Sequence, residues 1–185
     1  MYNQVKSNLS DVFIYYSGHG APGISDHKGY FVPVECDPKY VNLQGYQLDL
    51  FYRNISKIPA KSVTIVLDAC FSGVDLVDNI SPIVVKIDNP LLKTDNSIVL
   101  TSSSSDEVST WLDQTKHGLF TYFFLKAIHG KNADLNKDNK LTWEETYSYI
   151  SDKTNGIPYW SRALNNQDQN PTIFCQQKDR VFIQY

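Results

Sequence analysis

The chain has 185 residues, enough for one packed domain spanning 1–185. Hydrophobic residues make up 42% and aromatics 13%, which suits an ordinary core, while the net charge of −3 excludes the basic excess of a nucleic-acid binder. The longest apolar runs are about five residues, far short of a membrane span. No nucleic acid and no membrane are therefore expected as partners.

In chain order, Met1 to Ser10 is polar and reads as a linker or the end of a helix. Asp11–Tyr16 (DVFIYY) is a β-rich run that ends in Ser17-Gly18-His19-Gly20. The loop Ser17–Asp26 is rich in Gly and Pro. Glycines on both sides of His19 let backbone come close to a ligand and turn N–H groups toward it. Gly29–Val34 reads as a short hairpin piece closed by Pro33 and Pro38. From Leu43 to Ile58, Leu48, Phe51, Ile55 and Ile58 recur at roughly helical spacing, and Pro59 ends the run.

Ser62 to Gly73 (SVTIVLDACFSG) organises the rest. Val63, Ile65, Val66 and Leu67 lack polar alternation, the mark of a strand covered on both faces. Phe71-Ser72-Gly73 turns the chain away and leaves Cys70 at the strand's carboxyl end, where open α/β sheets bind ligands. Alone, the stretch suits a small core cysteine equally well. The strand–helix–strand unit ending here should cross over right-handed.

Val74 to Asn96 is a loop with Pro82 and Pro90. Ser97–Thr101 is a third parallel strand, and Ser102–Asp106 is its polar loop. Gly118–Ile128 and Leu141–Ser151 have helical patterns, Asn155–Asn170 is irregular, and Val181–Tyr185 is a last strand. The alternation predicts an α/β fold with a mostly parallel sheet.

Two constellations carry chemistry. If the His19 and Cys70 strands are parallel neighbours, a thiol and an imidazole reach the same sheet edge, the arrangement for nucleophilic attack on an acyl group. Asp68 lies two residues before Cys70, and in a strand such residues share a face. Its carboxylate then looks into the adjoining pocket and favours Arg or Lys, Arg by a bidentate pair. The alternative is an Asp satisfied by turn amides. Ser102, Ser103 and Asp106 are further pocket candidates. The three cysteines, Cys36, Cys70 and Cys175, are odd in number and far apart, which suits free thiols in a reducing, cytoplasmic compartment.

The second constellation is Asp134 to Glu145, DLNKDNKLTWEE. Oxygen donors stand at the EF-hand positions one, three, five and twelve: Asp134, Asn136, Asp138 and Glu145. Lys140, at the seventh, offers its carbonyl. Asn139 replaces the expected sixth-position Gly, and Asn tolerates positive φ. The loop is therefore a candidate Ca2+ site, with an ion-free Asn/Asp-rich turn as the alternative.

The segments DVFIYYSGHG (11–20), GYFVPVECDP (29–38), VTIVLDACFSG (63–73), IVLTSSSSDEVS (98–109), HGLFTYFFLKAIHG (117–130) and QNPTIF (169–174) together resemble the caspase-fold cysteine peptidases. The nearest resemblance is to bacterial caspase-like proteins and metacaspases. His19 precedes Cys70 by about 50 residues, the interval of the caspase signature. Asp68 replaces the caspase Gln, which is the metacaspase form. HGAPG (19–23) is also similar to the legumain-type peptidases.

The resemblance implies a three-layer α/β/α sandwich with a mostly parallel central sheet. It implies Cys70 as nucleophile, His19 as acid/base, and an oxyanion hole from the N–H groups of Gly20 and Cys70. Catalysis would need no cofactor. The substrate would be a polypeptide cut after Arg or Lys; a cut after Asn or Asp, or a catalytically silent scaffold with a calcium loop, are the alternatives. Residues 74–96 match a connector that can be cut during maturation; Lys86 and Lys93 lie in it, with ordinary solvated loop lysines as the alternative. Family members usually place a further strand, helix and strand before the His strand. Here only ten residues precede Asp11, so those strands are expected from another chain or from a longer form of this one.

Overall fold

A computed structural model describes residues 4–71, 87–104, 107–112 and 116–185. Ser72, Gly73, Lys86 and Asp106 lie outside the described residues.

In chain order the elements are β1 (Asp11–Ser17), β2 (Gly20–Pro22), β3 (Gly29–Phe31), α1 (Val41–Gln44), β4 (Tyr46–Gln47), α2 (Leu48–Ile55), β5 (Ser62–Asp68), β6 (Ser97–Thr101), β7 (Trp111–Leu112), β8 (His117–Gly118), α3 (Leu119–Ile128), β9 (Lys140–Thr142), α4 (Trp143–Ile150), α5 (Ile157–Asn165), β10 (Thr172–Cys175) and β11 (Val181–Gln184). The main sheet has the order β1-β5-β6-β10. β1 and β6 flank β5 in parallel, and β10 adds antiparallel to β6.

The unbroken apolar character of β5 has its cause in two helical layers. Val63, Ile65 and Leu67 face one way and pack with Leu48, Tyr52 and Ile55 of α2. Val66 faces the other way, and with Ile98 and Leu100 of β6 it meets Phe120 and Phe124 of α3 and Trp143 and Ile150 of α4. The result is a three-layer α/β/α sandwich with a mostly parallel sheet, as expected. Burying each such side chain stabilises the fold by about 1.5–3 kcal/mol.

Four local expectations change. The helix expected over Leu43–Ile58 is divided into α1 and α2. Gly45 adopts an extended conformation between them, and Tyr46–Gln47 pairs with β3 instead. The chain after His19 is not all loop, because Gly20–Pro22 pairs antiparallel with Gly29–Phe31. Leu141–Ser151 begins as strand β9, which pairs with β11. The helix starts only at Trp143, where Thr142 and Glu145 form a capping box. Finally, Asn155–Asn170 contains α5. Pro158 sits in its first turn, where a missing N–H is harmless, and Asn166 ends it in the left-handed region at φ 51°.

Candidate functional site

The register of β1 against β5 places the site. Ser17 stands opposite Asp68, the last residue of each strand, and the Gly18 N–H donates to the Asp68 carbonyl at 3.1 Å. His19 and Cys70 therefore each lie two residues beyond paired strand ends. Both line one crevice, together with Gly20 and Asp68. Its other wall comes from Ser109, Thr110, Trp111 and Gly118.

His19 is exposed, while its carbonyl is fixed by the Tyr16 hydroxyl at 2.9 Å and the Val32 N–H at 3.0 Å. Gly20 is buried against the Cys strand. A Cβ there would stand 2.6 Å from both the Cys70 carbonyl oxygen and a Phe71 ring carbon, so only glycine allows this approach. Cys70 is partly buried and its thiol donates to the Glu107 carbonyl at 3.3 Å. None of Cys36, Cys70 and Cys175 is in a disulfide.

Asp68 is neither fully open to the crevice nor satisfied by turn amides. It lines the crevice, yet it is 5% exposed and its carboxylate is held from behind. Oδ2 accepts from the Thr121 N–H at 3.2 Å and from the Thr121 hydroxyl. The bonds come from the first turn of α3, not from its own turn. Burial pushes the Asp68 carboxyl above the ordinary value, and the Thr121 bonds oppose that rise only in part. Gly118 lies so close that a Cβ there would collide with the carboxylate.

Ser102 and Ser103, expected in the pocket, are buried and are not among the residues that line it. The Ser102 N–H extends the sheet to the Leu67 carbonyl at 2.9 Å, its hydroxyl donates to Ala69 O at 3.3 Å, and the residue is 0% exposed. The ladder thus carries it under the end of β5. Thr110, Trp111, Gly118 and Thr121 were not singled out from the sequence. An exposed tryptophan, Trp111 at 58%, beside a polar loop was the available signal.

The Asp134–Glu145 loop has the turn shape of its pattern. Asp134 accepts from the N–H groups of Asp138 at 3.2 Å and Asn139 at 3.1 Å. Asn136 accepts from Asp138 at 2.9 Å, and Asp138 accepts from the Lys140 N–H at 2.8 Å. Asn139 adopts φ 65°, as the substitution for Gly requires. Asp134 Oδ1 and Asn136 Oδ1 thus converge on one amide, while among the described residues no three His, Cys, Asp or Glu side chains come together as a metal-holding group. Glu145 is turned onto the α4 cap, where Oε2 accepts from the Thr142 N–H at 3.0 Å and hydroxyl at 2.9 Å. Its other oxygen, Oε1, is buried without a hydrogen-bond partner.

The fold and crevice together define an α/β/α domain with a crevice at the carboxyl edge of its parallel strands, the place where such sheets bind ligands. The sequence matches the family model of the caspase domain, Peptidase C14, over residues 2–183. The chain belongs to this caspase-domain peptidase family. No curated protein matches it. Among the described residues no helix is long and apolar enough to cross a membrane.

Proposed function

We propose that the protein is a cysteine endopeptidase of the metacaspase type that cleaves polypeptides after Arg or Lys. The observation that carries this reading is the shared crevice of His19 and Cys70 at adjacent strand ends. In the proposed reaction the Cys70 thiol gives its proton to His19 and the sulfur attacks the scissile carbonyl carbon. The N–H groups of Gly20 and Cys70 hold the oxyanion. His19 then protonates the leaving amine, and water activated by the same imidazole hydrolyses the thioester and restores the thiol. Asp68, charged and shielded from water, pairs with the substrate cation.

A panel of fluorogenic peptides ending in Arg, Lys, Asn or Asp tests this reading. Cleavage after Asn or Asp alone would assign the legumain- or caspase-like specificity, and cleavage of none would leave the silent scaffold. A reducing, cytoplasmic setting belongs to this reading, because the three cysteines are odd in number and far apart in the sequence. A second polypeptide partner in this reading is a strand added to the outer edge of β1. Among the described residues β1 pairs only with β5, and Phe13 and Tyr15 stand exposed on it.

The Asp134–Glu145 loop supports a Ca2+ role through one observation, the unpartnered, buried Glu145 Oε1. Asp134, Asn136, Asp138, the Lys140 carbonyl and Glu145 would hold the ion, and Glu145 must leave the α4 cap to do so. No catalytic step passes through it.

A further inference from the structure

Gln169 is 0% exposed, although it lies in the irregular stretch just before β10. Its side-chain oxygen accepts from the Thr110 backbone N–H at 3.0 Å and from the Thr110 hydroxyl at 2.8 Å. Its side-chain N–H donates to the Ser102 carbonyl at 3.1 Å. Ser102 and Thr110 are the two necks of one loop. That loop puts Ser109 in the crevice wall and sets the Glu107 carbonyl against the Cys70 thiol.

The next residue holds the same loop farther out. The Asn170 N–H donates to Glu107 Oε2 at 2.6 Å, and the Asn170 side-chain amide donates to Glu107 Oε1. Glu107 Oε2 also accepts from the Ser104 N–H at 3.3 Å. Two residues further on, Thr172 enters the sheet opposite Thr101, so the pair is anchored to the rigid layer. At neutral pH an amide of this length supplies an acceptor for Thr110 and a donor for Ser102 from one planar group. Asn is too short for the same reach, and an ionised Glu has no donor.

We infer that Gln169, assisted by Asn170, is a latch that positions Ser102 and residues 107–110 beside the crevice. Gln169 is a positioning residue: it acts through Ser102, Thr110 and Glu107 and touches no reacting atom. Its kinetic consequences rest on the peptidase reading, whereas the latch itself does not.

The test compares the full chain with its Gln169→Glu and Asn170→Ala variants by two readouts. One is amide hydrogen exchange of backbone 102–112; the other is KM and kcat on an Arg-ending fluorogenic peptide. Ionised, the Gln169→Glu side chain loses its donor and faces the Ser102 carbonyl with a carboxylate oxygen. Burial favours its neutral form, which regains the donor on acidification. At about pH 8 exchange over 102–112 should quicken about tenfold, the usual cost of one lost buried bond. KM should rise about tenfold while kcat changes less. Both differences should shrink toward about pH 5. Asn170 is exposed, so Asn170→Ala keeps the fold and should give the same local change at a few-fold size.

Folded variants that exchange like the parent overturn the latch. Faster exchange with unchanged KM and kcat overturns its positioning role. If the parent cleaves no peptide but the exchange pattern appears, the latch stands and the peptidase reading falls.

Discussion

The Cys70 thiol donates a hydrogen bond to the carbonyl oxygen of Glu107 at 3.3 Å. One partner hangs from the end of β5 and the other from the loop that follows β6. The acceptor is neutral, so it cannot take the thiol proton. For Cys70 to react as a thiolate, the proton must pass to a base, and His19 is the imidazole in the same crevice. In the proposed reaction the bond to Glu107 must therefore break before the sulfur attacks.

Gly20→Ala should disable the site without unfolding the domain. The added methyl would meet the Cys70 carbonyl oxygen and the Phe71 ring, each at 2.6 Å, and must push the His19 and Cys70 loops apart. A displacement of about 1 Å at a catalytic pair costs about a hundredfold in rate. Peptide cleavage alongside a thermal melt checks this; full activity in the variant would mean that the two loops have room to spare.

Asp68 sets the expected acid limb. Folded, it keeps its proton to a higher pH than in the unfolded chain, where 3.8 is the ordinary value. The stability tied to this group is thus greatest below the ordinary range, falls as pH rises to the raised value, and is level above it. Asp68→Asn removes that fall, so its thermal midpoint should gain on the parent as pH rises from acid to neutral. Recognition of a substrate cation needs the ionised form. KM for an Arg peptide should therefore climb on acidification at a pH above the ordinary aspartate range, and Asp68→Asn should lose about a hundredfold in kcat/KM. An acid limb at ordinary aspartate pH would remove Asp68 from that role.

Trp143→Ala tests the second core. The indole is 1% exposed and stacks on Phe182 at a centroid distance of 4.1 Å. Its truncation should cost about 3–5 kcal/mol, read from the denaturant midpoint at unchanged m-value. A loss below about 1 kcal/mol would show that the α4 side of the sheet does not pack as described.

The Ca2+ loop separates by titration. Calorimetry should show one site, lost in both Asn136→Ala and Glu145→Ala. The second variant also loses the α4 capping box and about 1 kcal/mol of stability, whereas the first keeps it. No heat and no thermal shift at millimolar calcium would leave the turn holding its shape through its own amides.

The strands were legible because burial on both faces leaves a plain signal. Ile65, Val66 and Leu67 have no polar neighbour between them, and all are at most 1% exposed. Cys70 stood out because it follows such a strand, and His19 because glycines flank it at the end of the β-rich run Asp11–Tyr16. α5 was hidden: of its residues only Ile157 and Ser161 are buried, too few for a helical stripe. Ser102 was misplaced because its polarity suggests a pocket, while the ladder to Leu67 pulls it under the sheet. Thr121 and Gln169 reach the site only through folding, from a helix turn and a loop 53 and 67 residues from their partners Asp68 and Ser102. No local pattern marks such residues.

The Cys70–His19 pair is open to a single kinetic comparison. The rate of cleavage of an Arg-ending fluorogenic peptide is compared for the parent, Cys70→Ala, His19→Ala and the double variant, each shown to be folded by circular dichroism. The parent should cleave, each single variant should lose about a thousandfold or more, and the double should lose no more, because the two residues act as a unit. A Cys70→Ala variant that cleaves as fast as the parent, or single losses that multiply in the double variant, would contradict this pairing.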